Sequence, residues 1–198
     1  MLLYDSPVSG NCYKVRLLFA HLGVRYERRE LSVVDRSDRA EVIGDLNPAR
    51  RVPTLLLDDG RPLAESNAII WHFADGTEYL PTDAYERAKV LQWLFFEQYD
   101  HEPTLAVVRF WVCFAADPPP AAEIDARRAA GYRSLDALER GLGDEPFLVG
   151  GRYSIADIAL YAYTHVAPEA DFDLSGHPRI GAWMERVRAQ PRHVPITA

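Results

Sequence analysis

The chain has 198 residues, 48% of them hydrophobic and 26% charged, enough for one large domain or two small ones of ordinary globular composition. Its formal charge of −7 argues against a nucleic-acid partner and against an anionic membrane surface. No apolar run approaches the ~20 residues of a membrane span, and MLLYDSPVSG lacks both the basic start and the long apolar stretch of a signal peptide. Two cysteines, Cys12 and Cys113, are too few and too far apart for a disulfide framework, so a cytoplasmic, reduced protein is expected.

The opening MLLYD reads as a strand. In NCYKVRLLFAHLG, Val15, Leu18, Phe19 and Leu22 recur at i, i+3, i+4 and i+7, one face of a helix that Gly23 is placed to end. VRYERREL then reads as a strand with one wet face, and the β-α-β order implies parallel neighbours joined by a right-handed crossover. Residues 35–45 read as a short irregular helix. RVPTLLLDDGRPLAES has two short apolar runs around an Asp59-Gly60 turn, a β-hairpin signal, and SNAIIWHFAD follows as a helix. Residues 1–80 are therefore an α/β unit, β-α-β-(α)-β-β-α.

The rest has another texture. TDAYERAKVLQWLFFEQYDHEPTLAVVRFWVCFAA predicts a long core helix, apolar over most of its circumference, which Pro103 should bend or interrupt. After the triple proline at 118–120 come three more helical segments, AEIDARRAAGYRSLDALERGLG, SIADIALYAYTHV and HPRIGAWMERVRAQP. Residues 81–198 are expected to be all-α, with the boundary at EYLPTD.

Three short motifs carry chemistry. SPVSGNC, residues 6–12, lies between the first strand and first helix, and its serines, asparagine and cysteine are each a nucleophile, a hydrogen-bond donor or simply turn chemistry. Pro53 in RVPTL cannot donate to a sheet ladder and belongs at a strand start or edge. If the Val52–Pro53 bond is cis, the Val52 amide is turned outward to pair with an extended peptide, although only ~5% of X–Pro bonds are cis. Glu65-Ser66 opens a helix directly after a strand, where backbone amides attract carboxylates or phosphates. Taken singly, Pro53 is as well read as a loop stop and Ser66 as a plain helix cap.

Together, however, NPARRVPTL, LAESNAIIWHFA, YLPTDAYERAKVLQWLFFEQYDHEP and FLVGGRYSIADIAL fall in an order that resembles the cytosolic glutathione transferases, in particular bacterial serine-type members. The resemblance spans the whole chain. It implies a thioredoxin-like domain over 1–80 that binds glutathione, and an all-helical domain over 81–198 that helps form the site of a small hydrophobic electrophile. By that analogy Val52 pairs with the cysteinyl part of glutathione beside a cis Pro53. Ser66 then takes the γ-glutamyl carboxylate, Glu65 the ammonium, and Arg51 (or Arg50) the glycine carboxylate. The family often has lysine or glutamine before Val-Pro, so arginine departs in type while keeping the donor; a solvated basic pair is the alternative. Ser154 and Asp157 match the family's structural capping box.

The chemistry of this family needs a thiolate, and a free thiol of pKa ~8.5 is mostly protonated at neutral pH. A hydroxyl or amide donor near a helix N-terminus lowers that value. Ser9 corresponds to the family's catalytic serine, and Asn11 to a supporting asparagine. Tyr4 and Cys12 read as packing residues and Ser6 as part of the turn; a reactive Cys12 is the sharp alternative. Tyr99, His101, Arg109 and Trp111 are the candidates on the electrophile side, unless the aromatics are core, and Asp100 or Glu97 are candidates for reaching across a dimer interface.

The resemblance thus implies glutathione as co-substrate, no prosthetic group, no metal and a homodimer. The activity expected is conjugation of glutathione to electrophiles. A glutathione-dependent isomerase, dehalogenase or disulfide-bond reductase, or a non-catalytic glutathione-binding protein, would use the same scaffold.

Overall fold

The computed structural model describes residues 1–198. They form two compact units, one of residues 1–77 with 191–198, the other of residues 78–190.

In the first unit β1 (Leu2–Asp5), β2 (Glu27–Glu30), β3 (Thr54–Leu56) and β4 (Pro62–Ala64) form a four-stranded sheet in the order β2-β1-β3-β4. β1 and β2 run parallel, whereas β1–β3 and β3–β4 are antiparallel. Helices α1 (Gly10–Leu22), α2 (Arg39–Ile43) and α3 (Ser66–Ala74) complete the β-α-β-α-β-β-α order expected from the sequence. α1 ends where anticipated: Gly23 sits at φ 67°, and its N–H bonds the carbonyls of the last turn. Val15, Leu18 and Phe19 are fully buried, and Phe19 packs edge-on against Phe73 of α3 with ring centroids 4.7 Å apart. Tyr4 belongs to a second cluster with Leu31 and Ile43, as a packing residue should.

β2 differs from the expected strand with one wet face, because all four of its residues are exposed. It is an edge strand pairing only with β1, and a charged edge discourages pairing with another chain.

The second unit is helical: α4 (Ala84–Phe96), α5 (Glu102–Cys113), α6 (Ala121–Leu142), α7 (Ile155–Thr164) and α8 (Pro178–Arg188). The interruption expected at Pro103 takes the form of a π-turn over Glu97–His101, after which Pro103 lies in the first turn of α5. Proline has no N–H for the preceding turn and its ring needs room there, and the wider turn supplies it. α7 starts on a reciprocal cap: the Ser154 hydroxyl accepts from the Ala156 N–H at 3.3 Å, and the Asp157 carboxylate accepts from the Ser154 N–H at 2.9 Å. Asp157 also accepts from the Leu148 N–H (3.0 Å) and the Trp183 indole (2.9 Å), so the cap anchors a loop and α8 as well.

Residues 191–198 pack on α1. Tyr13 donates to the Val194 carbonyl at 2.7 Å, and the His21 ring lies 2.8 Å from the Pro191 carbonyl.

Candidate active site

Sheet register brings three distant segments to one end of the first unit. Thr54 pairs with Tyr4 on one side and with Ala64 on the other. The chain leaves β1 just beyond Tyr4, enters β3 from Pro53 and leaves β4 into Glu65. SPVSGNC, RVP and ES therefore share that end of the sheet, although nearly sixty residues separate the first from the last. The Val52–Pro53 bond is cis. The turn before it is held by the Arg51 carbonyl, which accepts from the Asn47 amide (3.0 Å) and the Thr54 hydroxyl (2.7 Å). The Arg51 and Arg50 side chains are exposed.

Ser9 caps α1, its hydroxyl oxygen accepting from the Cys12 N–H at 3.3 Å. Capping uses an acceptor lone pair, so the hydroxyl keeps its proton for donation. The loop before Ser9 is fixed by Arg16, which donates to the Ser6 carbonyl (3.1 Å) and the Pro7 carbonyl (3.0 Å) and pairs with the buried Asp5 carboxylate.

Cys12 is fully buried. Burial above all, with the Asp5 charge adding to it, pushes its thiol up to about 12, against the opposing pull of the Ser9 hydroxyl, the Ser6 backbone and the Arg16 charge. A thiol raised that far is protonated at neutral pH.

Glu65 has φ 67° and ψ 117°, a backbone conformation that favours glycine and is costly for glutamate; such strain concentrates at functional sites. Ser66 follows as the first residue of α3. Its hydroxyl donates to Asn11 Oδ1 at 3.2 Å, tying the start of α3 to the start of α1. Ser66 Oγ in turn accepts from Lys14 Nζ at 3.3 Å, and the same ammonium reaches Asn67 Oδ1 at 3.3 Å. Lys14 is completely buried. Sequence reasoning passed over it, because by residue type a lysine on α1 belongs on the surface.

The helical unit treats its four candidates differently. Tyr99 is 83% exposed and lines a cleft of about 290 Å³ with Phe96, Asp100, Thr104, Arg133 and Ser134. His101 does not reach that cleft; it is fully buried, with its Nε2 2.9 Å from the Thr164 hydroxyl. Arg109 is buried against Glu169 at 2.7 Å and lies over the Phe114 ring, and Trp111 packs beneath Arg127. Glu97 is buried, whereas Asp100 is exposed on the cleft. No group of three histidine, cysteine or acidic side chains converges on a metal-binding arrangement, and no helix is long and apolar enough to cross a membrane.

Residues 8–75 match the glutathione S-transferase N-terminal domain family and residues 103–191 the C-terminal domain family. The chain belongs to the glutathione S-transferase family. Among solved structures, a glutathione S-transferase from Pseudomonas fluorescens Pf-5 is 46% identical with a TM-score of 0.95, the match covering 100% of this chain and 98% of that one. The disulfide-bond oxidoreductase YfcG of Escherichia coli is 31% identical over 196 residues, 96% of this chain and 90% of YfcG. Yeast Ure2p in complex with glutathione shares the transferase fold, with a TM-score of 0.87 at 22% identity over 96% of this chain and 95% of that one. The thioredoxin-like unit followed by a helical unit is thus the family architecture, and glutathione is the family's substrate rather than a prosthetic group.

Proposed function

We propose that this protein is a serine-type glutathione transferase in which the Ser9 hydroxyl, assisted by the Asn11 amide, donates to the sulfur of bound glutathione. The observation that carries this reading is the Ser66–Asn11 hydrogen bond, which joins the helix start suited to a γ-glutamyl carboxylate to the loop that holds the sulfur donors. In the proposed complex the Val52 backbone pairs with the cysteinyl unit beside Pro53. Glu65 takes the γ-glutamyl ammonium, and exposed Arg51 takes the glycine carboxylate. A hydroxyl donor and the N-terminal dipole of α1 favour the thiolate, whose proton passes to solvent. The thiolate lone pair forms a bond to an electrophilic carbon, and a leaving group, where there is one, departs with its electron pair. The working form is a homodimer.

The test is thiolate absorbance of bound glutathione with turnover of a nitro-activated aryl chloride. Ser9→Ala is expected to lower kcat/KM about 10²-fold, the scale for losing one donor to a developing anion, while Cys12→Ala retains activity. A wild-type complex without thiolate at neutral pH sinks the transferase reading.

The likeness to YfcG favours one second reading, glutathione-dependent reduction of disulfides. With Cys12 protonated and buried, this reading routes the exchange through glutathione rather than through that cysteine. Glutathione thiolate attacks the S–S bond, releasing one thiolate and leaving a mixed disulfide. A second glutathione displaces the other thiol from it and leaves oxidised glutathione. Rapid turnover of a small dialkyl disulfide, with none of the aryl chloride, would replace the first reading with this one.

A further inference from the structure

We propose that Lys14 is a positioning residue: through Ser66 it orients the Asn11 amide so that its N–H₂ end is the one offered to the glutathione sulfur. The inference deepens the glutathione reading above and rests on it.

The argument follows the direction of each hydrogen bond. An ammonium only donates, so in the Lys14–Ser66 contact the serine oxygen accepts. The Ser66 proton is directed to Asn11 Oδ1 at 3.2 Å. With the carbonyl end of the Asn11 amide held on the Ser66 side, the Nδ2 end is turned away from α3. The charge of Lys14 reinforces that choice. A fully buried ammonium acts in a medium of low dielectric, and it draws the negative ends of nearby amide dipoles toward itself. The Asn67 amide obeys the same field, presenting Oδ1 to Lys14 at 3.3 Å. Without the charge, the Asn11 amide could turn over, give its N–H to Ser66 and offer the sulfur an oxygen, which repels a thiolate.

The same geometry couples the two ends of the ligand. A γ-glutamyl carboxylate arriving at the start of α3 meets the Ser66 backbone N–H, the hydroxyl proton being held by Asn11 Oδ1, with the Lys14 charge 3.3 Å from the Ser66 oxygen. Lys14 therefore acts on both the affinity for glutathione and the acidity of its thiol without touching the sulfur. A lysine that only filled space would affect neither once the fold was intact.

The experiment measures glutathione affinity and the pH midpoint of bound-thiolate absorbance for wild type, Lys14→Met and Lys14→Arg, each verified as folded by its thermal transition. Methionine keeps the volume and removes the charge. The expected result is a roughly tenfold loss of affinity and a rise of about one pH unit in the thiolate midpoint for Lys14→Met, with substantial recovery in Lys14→Arg. In an Asn11→Ala background, Lys14→Met should no longer move the midpoint. If Lys14→Met fails to fold, Lys14→Gln takes its place in the same measurements. A folded, uncharged variant with wild-type affinity and midpoint overturns the role of Lys14 and leaves the glutathione reading standing. A wild-type protein that binds no glutathione overturns both.

Discussion

Arg16 and Asp5 meet at 2.5 Å with both side chains withdrawn from solvent, Arg16 2% and Asp5 0% exposed. The second carboxylate oxygen of Asp5 pairs with Arg28 at 2.6 Å, and the two terminal nitrogens of Arg16 also donate to the Ser6, Pro7 and Ile196 carbonyls. One guanidinium thus fastens the loop preceding Ser9 to both β1 and the C-terminal segment. Breaking a buried pair from one side leaves an uncompensated charge, so Arg16→Met should cost about 3–5 kcal/mol in urea unfolding. The double variant Asp5→Asn/Arg16→Met should lose less than the sum of the two single losses. Strict additivity would show that the pair is not energetically coupled.

This clamp also marks the limit of what could be read before the fold was known. The apolar face of α1 was legible because Val15, Leu18 and Phe19 repeat with the helical period, and the Ser154–Asp157 cap because its partners are three residues apart. Lys14 and Arg16 carry no such local signal. By residue type they belong on the surface, and they are buried because partners arrive from Ser66, 52 residues away, and Ile196, 180 residues away. The two charges that organise the candidate site are thus products of sheet register and of the returning C-terminal segment. His101 and Arg109 show the converse: residue type on a long helix suggested a ligand site, and the fold gives them partners in Thr164 and Glu169 within the helical unit.

Burial drives the titration of two groups around α7 in opposite directions. It pushes the Asp157 carboxyl up to about 6, against the pull of the surrounding donors, and the His165 imidazole down to about 4. For Asp157, the raised value adds stability that is fully present below about 3.8 and lost as pH rises through about 6. For His165, the depressed value adds stability present above about 6.5 and lost as pH falls toward about 4. Each is worth about 3 kcal/mol at full extent, so the two largely offset between pH 4 and 6.5. Urea unfolding at neutral pH and near pH 4.5 separates them. Relative to wild type, Asp157→Asn should lose stability on acidification and His165→Phe should gain it. Parallel pH profiles for wild type and both variants would contradict the assignment.

The cysteines offer a chemical readout of the same burial. Cys12 is enclosed and its thiol is held up near 12, whereas Cys113 is exposed, with its thiol raised chiefly by partial burial. Iodoacetamide at mildly alkaline pH should label Cys113 in the native protein and reach Cys12 only after unfolding in urea. Native labelling of Cys12 would mean that the SPVSGNC loop opens readily, and would restore that cysteine as a candidate for disulfide chemistry.

The proposed homodimer has a specific surface to be tested. Leu91, Phe95 and Tyr99 lie four residues apart along α4 and the π-turn, and they are 38%, 70% and 83% exposed. Residues at that spacing share a helix face, so they form one apolar stripe rather than three scattered side chains. Covering each in an interface would contribute about 1.5–3 kcal/mol at most, and a carboxylate placed at the centre of the stripe would have to be desolvated. Light scattering of the wild-type protein should give twice the 22.4 kDa chain mass, and Phe95→Glu should give the single-chain mass. Tyr85 provides the control: it is 73% exposed on the same helix, but six residues before Leu91 places it on a different face. Tyr85→Glu should therefore leave the dimer intact. If Tyr85→Glu dissociates it as readily as Phe95→Glu, the effect is one of general surface charge, and the stripe is not the interface.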